Sequence, residues 1–164
     1  MDRESGFSLI ELLIVVAIIL VIAAMAMPNL LRARIASNEA SAAASMRTIA
    51  TAELTYKLGY PSIGYADLPT LGGPANCTPS FVTACIIDNL LTTGTKSGYT
   101  FSATASAGAG GSMDEYLITA VPVSQNITGV KGFCTVEDHV VLYITPAGAP
   151  ATRAICLGGT YTPQ

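Results

Sequence analysis

The chain has 164 residues, of which 51% are hydrophobic and only 12% are charged, and its net charge is −3. This length fits one domain with one appended element, and the negative net charge excludes the basic surface typical of nucleic-acid binding. His139 is the only histidine, so the side chain most often used in acid–base catalysis is scarce. We therefore predict a protein that is not an enzyme and has no cofactor, metal site or nucleic-acid partner.

The first predicted element is an apolar helix near the N-terminus. An unbroken apolar run from Leu12 to Met27 follows Glu11 directly. With the residues from Phe7 onward, the segment reaches the roughly 20 positions that cross a bilayer. A secretory signal peptide is the alternative, and Ala24-Met25-Ala26 would be its cleavage site, but its apolar core is usually only ~7–15 residues long. The length favours a membrane-spanning helix.

The residues at the start of this helix resemble a known family. Gly6-Phe7-Ser8-Leu9-Ile10-Glu11, followed by the apolar run and Pro28, is similar to the N-terminal segment of type IV pilins and type II secretion pseudopilins. In that family a prepilin peptidase removes a short leader after the glycine, and the new N-terminus is methylated. The resemblance implies that residues 1–6 form the leader, that the chain is cut between Gly6 and Phe7, and that Phe7 is N-methylated.

Glu11 is the one acidic residue within the segment, and the resemblance implies a role in assembly. Cleavage before Phe7 creates an ammonium group four residues from Glu11, and positions i and i+4 share one face of a helix. Glu11 of one subunit can then meet the Phe7 ammonium of an axial neighbour. A wrong register would leave the two charges buried without compensation, which is strongly unfavourable. The alternative is an acid that extends to the membrane surface.

Beyond Pro28, the sequence predicts an amphipathic helix over residues 29–58. Pro28 itself predicts a kink or a melted turn before it, and Gly59 and Pro61 predict the end of the helix. The apolar face is formed by residues at helical spacing, with Leu54 adjoining: Ile35, Ala42, Met46, Ile49 and Tyr56. The opposite face is polar: Arg34, Ser37, Ser41, Ser45 and Thr48. One apolar stripe indicates a helix that packs on a domain.

The four cysteines predict two disulfides. An even number of cysteines beyond an apolar N-terminal segment is typical of an oxidising compartment. Three pairings are possible, and closure of short local loops favours Cys77–Cys85 and Cys134–Cys156. No CxxC pair and no histidine at ligand spacing accompanies them, which argues against zinc.

The C-terminal half predicts a small sheet. Alternating β-branched and aromatic residues indicate four strands, at 98–105, 115–123, 129–137 and 139–145. The last two are expected to form a hairpin with its turn at Glu137-Asp138, a short helix is expected near 85–91, and the tail 146–164 is expected to be loop. The predicted fold class is α+β: a long helical spine of about 7–58 packed on an antiparallel sheet of about four strands, similar to pilins.

Other polar residues offer weaker site candidates. His139 has no nucleophile motif beside it and is interpreted as a residue flanking a turn. Asp114-Glu115 and Glu137-Asp138 could help bind calcium, which prefers several oxygen ligands. The acidic residues are not densely spaced, so solvated turns are the preferred interpretation.

Together, these features predict four segments: a leader (1–6), a membrane and filament-core helix (7–28), the amphipathic half of the spine (29–58) and a globular domain (59–164). The resemblance implies a structural subunit of a type IV pilus-like filament. Its expected partners are further copies of itself, prepilin peptidase, the inner-membrane assembly machinery and, before assembly, the membrane. The precursor would lie in the bacterial inner membrane and the filament at the cell surface. The alternatives are a type II secretion pseudopilin and a secreted or membrane-anchored binding domain.

Overall fold

The computed structural model describes residues 7–74, 76–108, 111–148 and 152–164. The predicted leader therefore lies outside the described residues. The chain divides into two compact units, the first ending at Arg34 and the second beginning at Ile35. Helix α1, Leu9–Gly59, supplies residues to both units, and each unit is described by itself below.

The first unit consists of the apolar part of α1. The helix begins two residues later than predicted and passes through Pro28, so the turn before the proline stays helical. Pro28 has no N–H to give to the helix ladder. The side-chain amide of Asn29 donates to the Met25 carbonyl at 3.3 Å in the same turn.

In the second unit, α1 packs on a sheet through one face. Its buried residues include the predicted Ala42, Met46, Ile49 and Tyr56. The prediction was wrong at two positions, since Ser45 is buried and Leu54 is 42% exposed. Glu53, which was assigned to neither face, is also buried. The buried positions 42, 46, 49, 53 and 56 alternate steps of four and three residues, which is the spacing of a continuous helix face. Glu53 lies on that face and Leu54 lies beside it.

The sheet has six antiparallel strands in the order β1-β2-β3-β4-β5-β6, so the α+β class is confirmed and the strand number is larger than predicted. The two additional strands contain only two residues each and lie at the two edges. The strands are β1 Thr95–Lys96, β2 Tyr99–Ser106, β3 Glu115–Pro122, β4 Gly132–Thr135, β5 Leu142–Ile144 and β6 Thr162–Pro163. Three short helices complete the fold: α2 Leu68–Leu71, α3 Asn89–Thr92 and α4 Arg153–Leu157.

The side chains of the strands alternate between the two faces of the sheet. In β2, Tyr99, Phe101 and Ala103 are buried and the residues between them are exposed, because successive side chains point to opposite faces. These residues and Phe133 of β4 belong to the core that includes α1. Cys134, next to Phe133, belongs to a second cluster on the other side of the strand, with Val136, Cys156 and Tyr161. Strand β4 is therefore buried on both faces.

The ends of the predicted strands, the short helix and the tail differ from expectation. Strand β4 begins later than predicted because the Val130 and Lys131 amides donate to Glu39. Strand β5 begins later because His139 has a φ of 59°, which is not extended backbone. The helix predicted near 85–91 is confined to α3, where the Asp88 carboxylate accepts from the Leu91 amide. The tail is not all loop, since it contains α4 and β6.

Two disulfides join neighbouring parts of the second unit. Cys77 pairs with Cys85 across the connection between α2 and α3. Cys134 pairs with Cys156 and links the central strand β4 to helix α4. The second bond closes a loop with a sequence separation of 22, for which loop closure contributes about 3 kcal/mol. It secures the tail over the face of the sheet that α1 does not cover.

Glu39 fixes the docked half of α1 to the loop before β4. Its Oε1 accepts hydrogen bonds from the Val130 and Lys131 amides at 3.0 and 3.1 Å. Its Oε2 lies 3.6 Å from the Lys131 ammonium. Asn38 adds a bond from its side-chain amide to the Thr128 carbonyl at 2.9 Å. One turn of the helix thus satisfies three backbone groups of a loop about 90 residues away.

We predict that Glu39→Ala lowers the free energy of unfolding by about 2–3 kcal/mol, because two backbone amides lose their acceptor. Glu39→Gln keeps one carbonyl oxygen and should lose less. The measurement is urea unfolding of the full chain in non-ionic detergent micelles, followed by tyrosine circular dichroism. Ser37→Ala, at an exposed position of the same helix, is the control. A Glu39→Ala variant as stable as that control would contradict the anchoring role.

Candidate functional site

The first unit presents apolar side chains in every direction. Side chains from Phe7 to Leu31 are exposed around the whole helix, including Leu9 at 80% and Leu20 at 62%. By length and composition, α1 is apolar enough to cross a membrane. An apolar helix without a polar face needs lipid or other helices around it. This surface is the strongest candidate for a functional site in the described residues.

Glu11 caps the start of α1. Its Oε2 accepts a hydrogen bond from the Ser8 amide at 2.9 Å, and the Ser8 carbonyl accepts from the Glu11 and Leu12 amides. A glutamate at the third helical position commonly satisfies the amide of the cap residue in this way. The carboxylate also lies at the positive end of the helix dipole. Within one chain, Glu11 therefore already has a partner that stabilises its negative charge.

This local bond was not predicted, because Glu11 was expected either to pair with another subunit or to extend to the membrane surface. The signal for it is present in the sequence, since Ser8 is followed three residues later by Glu11 and then by an apolar run. The bond does not exclude a second partner, because a carboxylate has two oxygens and about four acceptor positions. Oε1 thus remains available as an acceptor beyond the Ser8 bond.

The other predicted site residues are not all grouped with Glu11. Gly6 lies outside the described residues, so the predicted cleavage site is described only on its Phe7 side. Phe7 precedes the helix and is 76% exposed. Pro28 lies inside α1, and the paired cysteines belong to the second unit. The structure therefore groups Phe7, Ser8 and Glu11 at one helix start.

The acidic pairs of the second unit have basic or backbone partners. Glu137, at the predicted turn, binds Arg153 through both oxygens, at 3.2 and 3.1 Å, and accepts from the Tyr116 amide at 2.6 Å. Burial alone raises the pKa of Glu137, but these hydrogen bonds outweigh burial and hold the pKa below its usual value. Glu115 lies 3.5 Å from the same guanidinium. Arg153 therefore joins α4 to the beginning of β3.

Asp114 and His139 also have specific neighbours. Asp114 lies 3.7 Å from the Lys57 ammonium. The His139 Nδ1 is 3.1 Å from the Tyr116 hydroxyl, whose pKa is raised by burial, so the phenol keeps its proton and can donate it. In the described part of the chain, no group of three or more acidic, histidine or cysteine side chains is placed to hold a metal ion.

Comparisons with known proteins agree with the geometry of the first unit. Residues 1–27 match the family described as the prokaryotic N-terminal methylation motif. The type IV wide pilus major component PilA4 of Thermus thermophilus is 40% identical over 89 residues, which are 51% of this chain and 68% of that protein. No solved structure matches significantly.

We predict that loss of the Glu11 carboxylate exposes the Ser8 amide. In the full chain in detergent micelles, Glu11→Ala should speed hydrogen exchange of this amide about fivefold, since a helix cap contributes about 1 kcal/mol. Glu11→Gln retains a carbonyl acceptor and should give an intermediate rate. The measurement is amide exchange by NMR. Equal rates in all three chains would show that Glu11 does not cap the helix.

Proposed function

The chain belongs to the type IV pilin family, and we propose that it is processed by prepilin peptidase and polymerised through α1 into a pilus-like extracellular filament. The observation that carries this proposal is the apolar surface around the whole first unit. A protein monomer in water would not keep such a surface exposed. Further copies of the same helix would cover it without any other partner.

Processing creates a positive charge at the start of the apolar segment. Cleavage between Gly6 and Phe7 gives Phe7 a free ammonium group, and the methylation motif spans this position. The leader 1–6 and the peptide bond after Gly6 are then a substrate for the peptidase, and the protein itself performs no reaction. Before assembly, the precursor would lie in the bacterial inner membrane, where the assembly machinery would take it up.

Assembly would move α1 from lipid into a bundle of helices. Lipid tails are as apolar as leucine side chains, so the hydrophobic effect does not favour one surrounding over the other. Selectivity must come from shape and from polar groups. Glu11, which is bound to the Ser8 amide in the single chain, can accept from the Phe7 ammonium of a neighbouring subunit with its second oxygen. A wrong register would leave both charges buried without a partner, which is strongly unfavourable.

The related protein from Thermus thermophilus is named as a major component of a wide pilus, which supports a pilus rather than a secretion pseudopilus. N-terminal sequencing and mass spectrometry of the exported chain test the processing step. A methylated start at Phe7 is expected, whereas a start at Met27 would contradict the proposal and favour a secreted binding domain. Electron microscopy of shed material then distinguishes long fibres from the absence of surface fibres expected of a pseudopilin.

We predict that Glu11→Ala and Glu11→Val are cleaved almost normally but yield at least about tenfold less filament, because the Phe7 ammonium would be buried without a counter-charge. The measurement is the ratio of sheared filament to processed subunit in the membrane.

Glu11→Gln is the matched variant for that experiment, since it retains an acceptor for the Ser8 amide and lacks the charge. A filament yield as low as that of Glu11→Ala is expected. If Glu11→Gln assembled normally, charge pairing would be contradicted. The effect of Glu11→Ala would then result from loss of the helix cap.

A further inference from the structure

A second acid of α1 is buried in a way that the filament function does not explain. Glu53 is completely buried in the second unit. Its Oε2 accepts one hydrogen bond, from the Ala66 amide at 3.0 Å. Its Oε1 has no hydrogen-bond partner among the described residues. A carboxylate that has one donor and is buried away from solvent is poorly stabilised, whereas a neutral carboxylic acid is tolerated at much lower cost.

The groups around Glu53 disfavour its ionised form further. Asp67, in the segment that packs against it, adds a like charge. The phenols of Tyr56 on α1 and Tyr116 on β3 are also close enough to interact with its charge. No basic side chain forms an ion pair with Glu53 in the described ranges, and the nearby Lys57 is directed to Asp114 and to the Tyr65 ring.

The partner of Glu53 belongs to a connecting segment, residues 60–67, which we call the α1–α2 segment. Besides the bond to Glu53, two sets of hydrogen bonds join the segment to β2 and to the residues just before β3. Tyr65 and Ile63 exchange backbone hydrogen bonds with Met113, at 2.7 and 3.2 Å. The Asp67 carboxylate accepts from the Ala105 amide at the end of β2, at 2.9 Å. Of the two carboxylates that hold the segment, Asp67 is exposed to solvent, whereas Glu53 is completely buried.

We propose that Glu53 is a proton-dependent latch: its neutral form favours docking of the α1–α2 segment, and its ionisation favours release of the segment from α1. The released carboxylate gains water as a partner, so the open form tolerates the charge that the docked form excludes. All the groups involved lie in the second unit, and the latch therefore does not depend on the proposed filament function.

The sign of the pH dependence follows from the pKa of Glu53, which burial raises from 4.5 to about 7. A group whose pKa is raised in the docked form stabilises that form fully below the unperturbed value and loses the effect as the pH rises to the docked value. Opening is therefore least favourable below about pH 4.5, increases up to about pH 7 and then levels off. The equilibrium for opening should increase on the order of 50-fold between pH 5 and pH 8.

Hydrogen exchange of the full chain in non-ionic detergent micelles tests the latch. The protection factor, which is corrected for the pH dependence of an unstructured chain, is measured for the Ala66 amide and for the Thr119 amide in the sheet. Protection at Ala66 should fall on the order of 50-fold from pH 5 to pH 8. At low urea concentrations it should also be insensitive to urea, because a local opening exposes little surface.

Two variants sharpen the test. Glu53→Gln keeps an acceptor for the Ala66 amide and cannot ionise, so protection at Ala66 should no longer depend on pH. Glu39→Gln, the matched control on the same helix, should retain the pH dependence. Constant wild-type protection at Ala66 would overturn the proposal. So would exchange at Ala66 with the same rate and urea dependence as at Thr119, since that indicates global unfolding.

If Glu53→Gln does not fold, titration of Glu53 in the wild-type chain tests the proposal instead. The side-chain carboxyl carbon of Glu53, observed by NMR with carbon-13 labelling, should titrate with a midpoint near pH 7. A midpoint near the ordinary value of 4.5 would overturn the latch.

Discussion

The central constraint on this protein is an apolar helical segment whose large side chains are exposed on every side within the described residues. Such a helix requires lipid or other helices, and the hydrophobic effect alone does not distinguish between them. The choice between lipid and other helices, and the register of helix packing, therefore depend on the few polar groups of the segment. Glu11 is the polar group at the start of the helix, and its bond to the Ser8 amide keeps the carboxylate satisfied in the isolated chain.

Three glutamates of α1 illustrate how the surroundings determine what one side chain does. Glu11 lies at the helix start with one amide donor and solvent-exposed neighbours. Glu39 has two amide donors and a lysine ammonium, a set that fits an ionised carboxylate. Glu53 has one amide donor, a like-charged neighbour and no exposure. The same residue type thus serves as a helix cap, as an anchor for a loop and as a buried acid.

The sequence allowed prediction of the features that depend on neighbouring residues. The apolar run, the end of α1 near Gly59 and the alternation in β2 and β3 are local patterns, and the structure agrees with each of them within a few residues. The turn at Glu137-Asp138 follows from the same local chemistry. The bond between Ser8 and Glu11 is equally local, although it was not predicted.

Features that depend on distant residues could not be predicted. The late start of β4 results from Glu39, about 90 residues earlier in the chain. Glu53 is buried rather than Leu54 because its carboxyl group accepts a hydrogen bond from the Ala66 amide. An apolar side chain at position 53 would leave this amide without a partner. Helix α4 is held by Arg153 and by the Cys156 disulfide, so its short sequence gives no sufficient signal by itself.

The two proposals place opposite demands on the charge of a glutamate. The proposed pairing of Glu11 with a Phe7 ammonium uses an ionised carboxylate, whereas the docked α1–α2 segment favours a neutral Glu53. The surroundings agree with this difference, since the Glu11 carboxylate accepts from the Ser8 amide at the exposed helix start, and Glu53 is completely buried with one donor. The two acids lie in different units of the chain, so the proposed latch involves none of the residues that the proposed assembly uses.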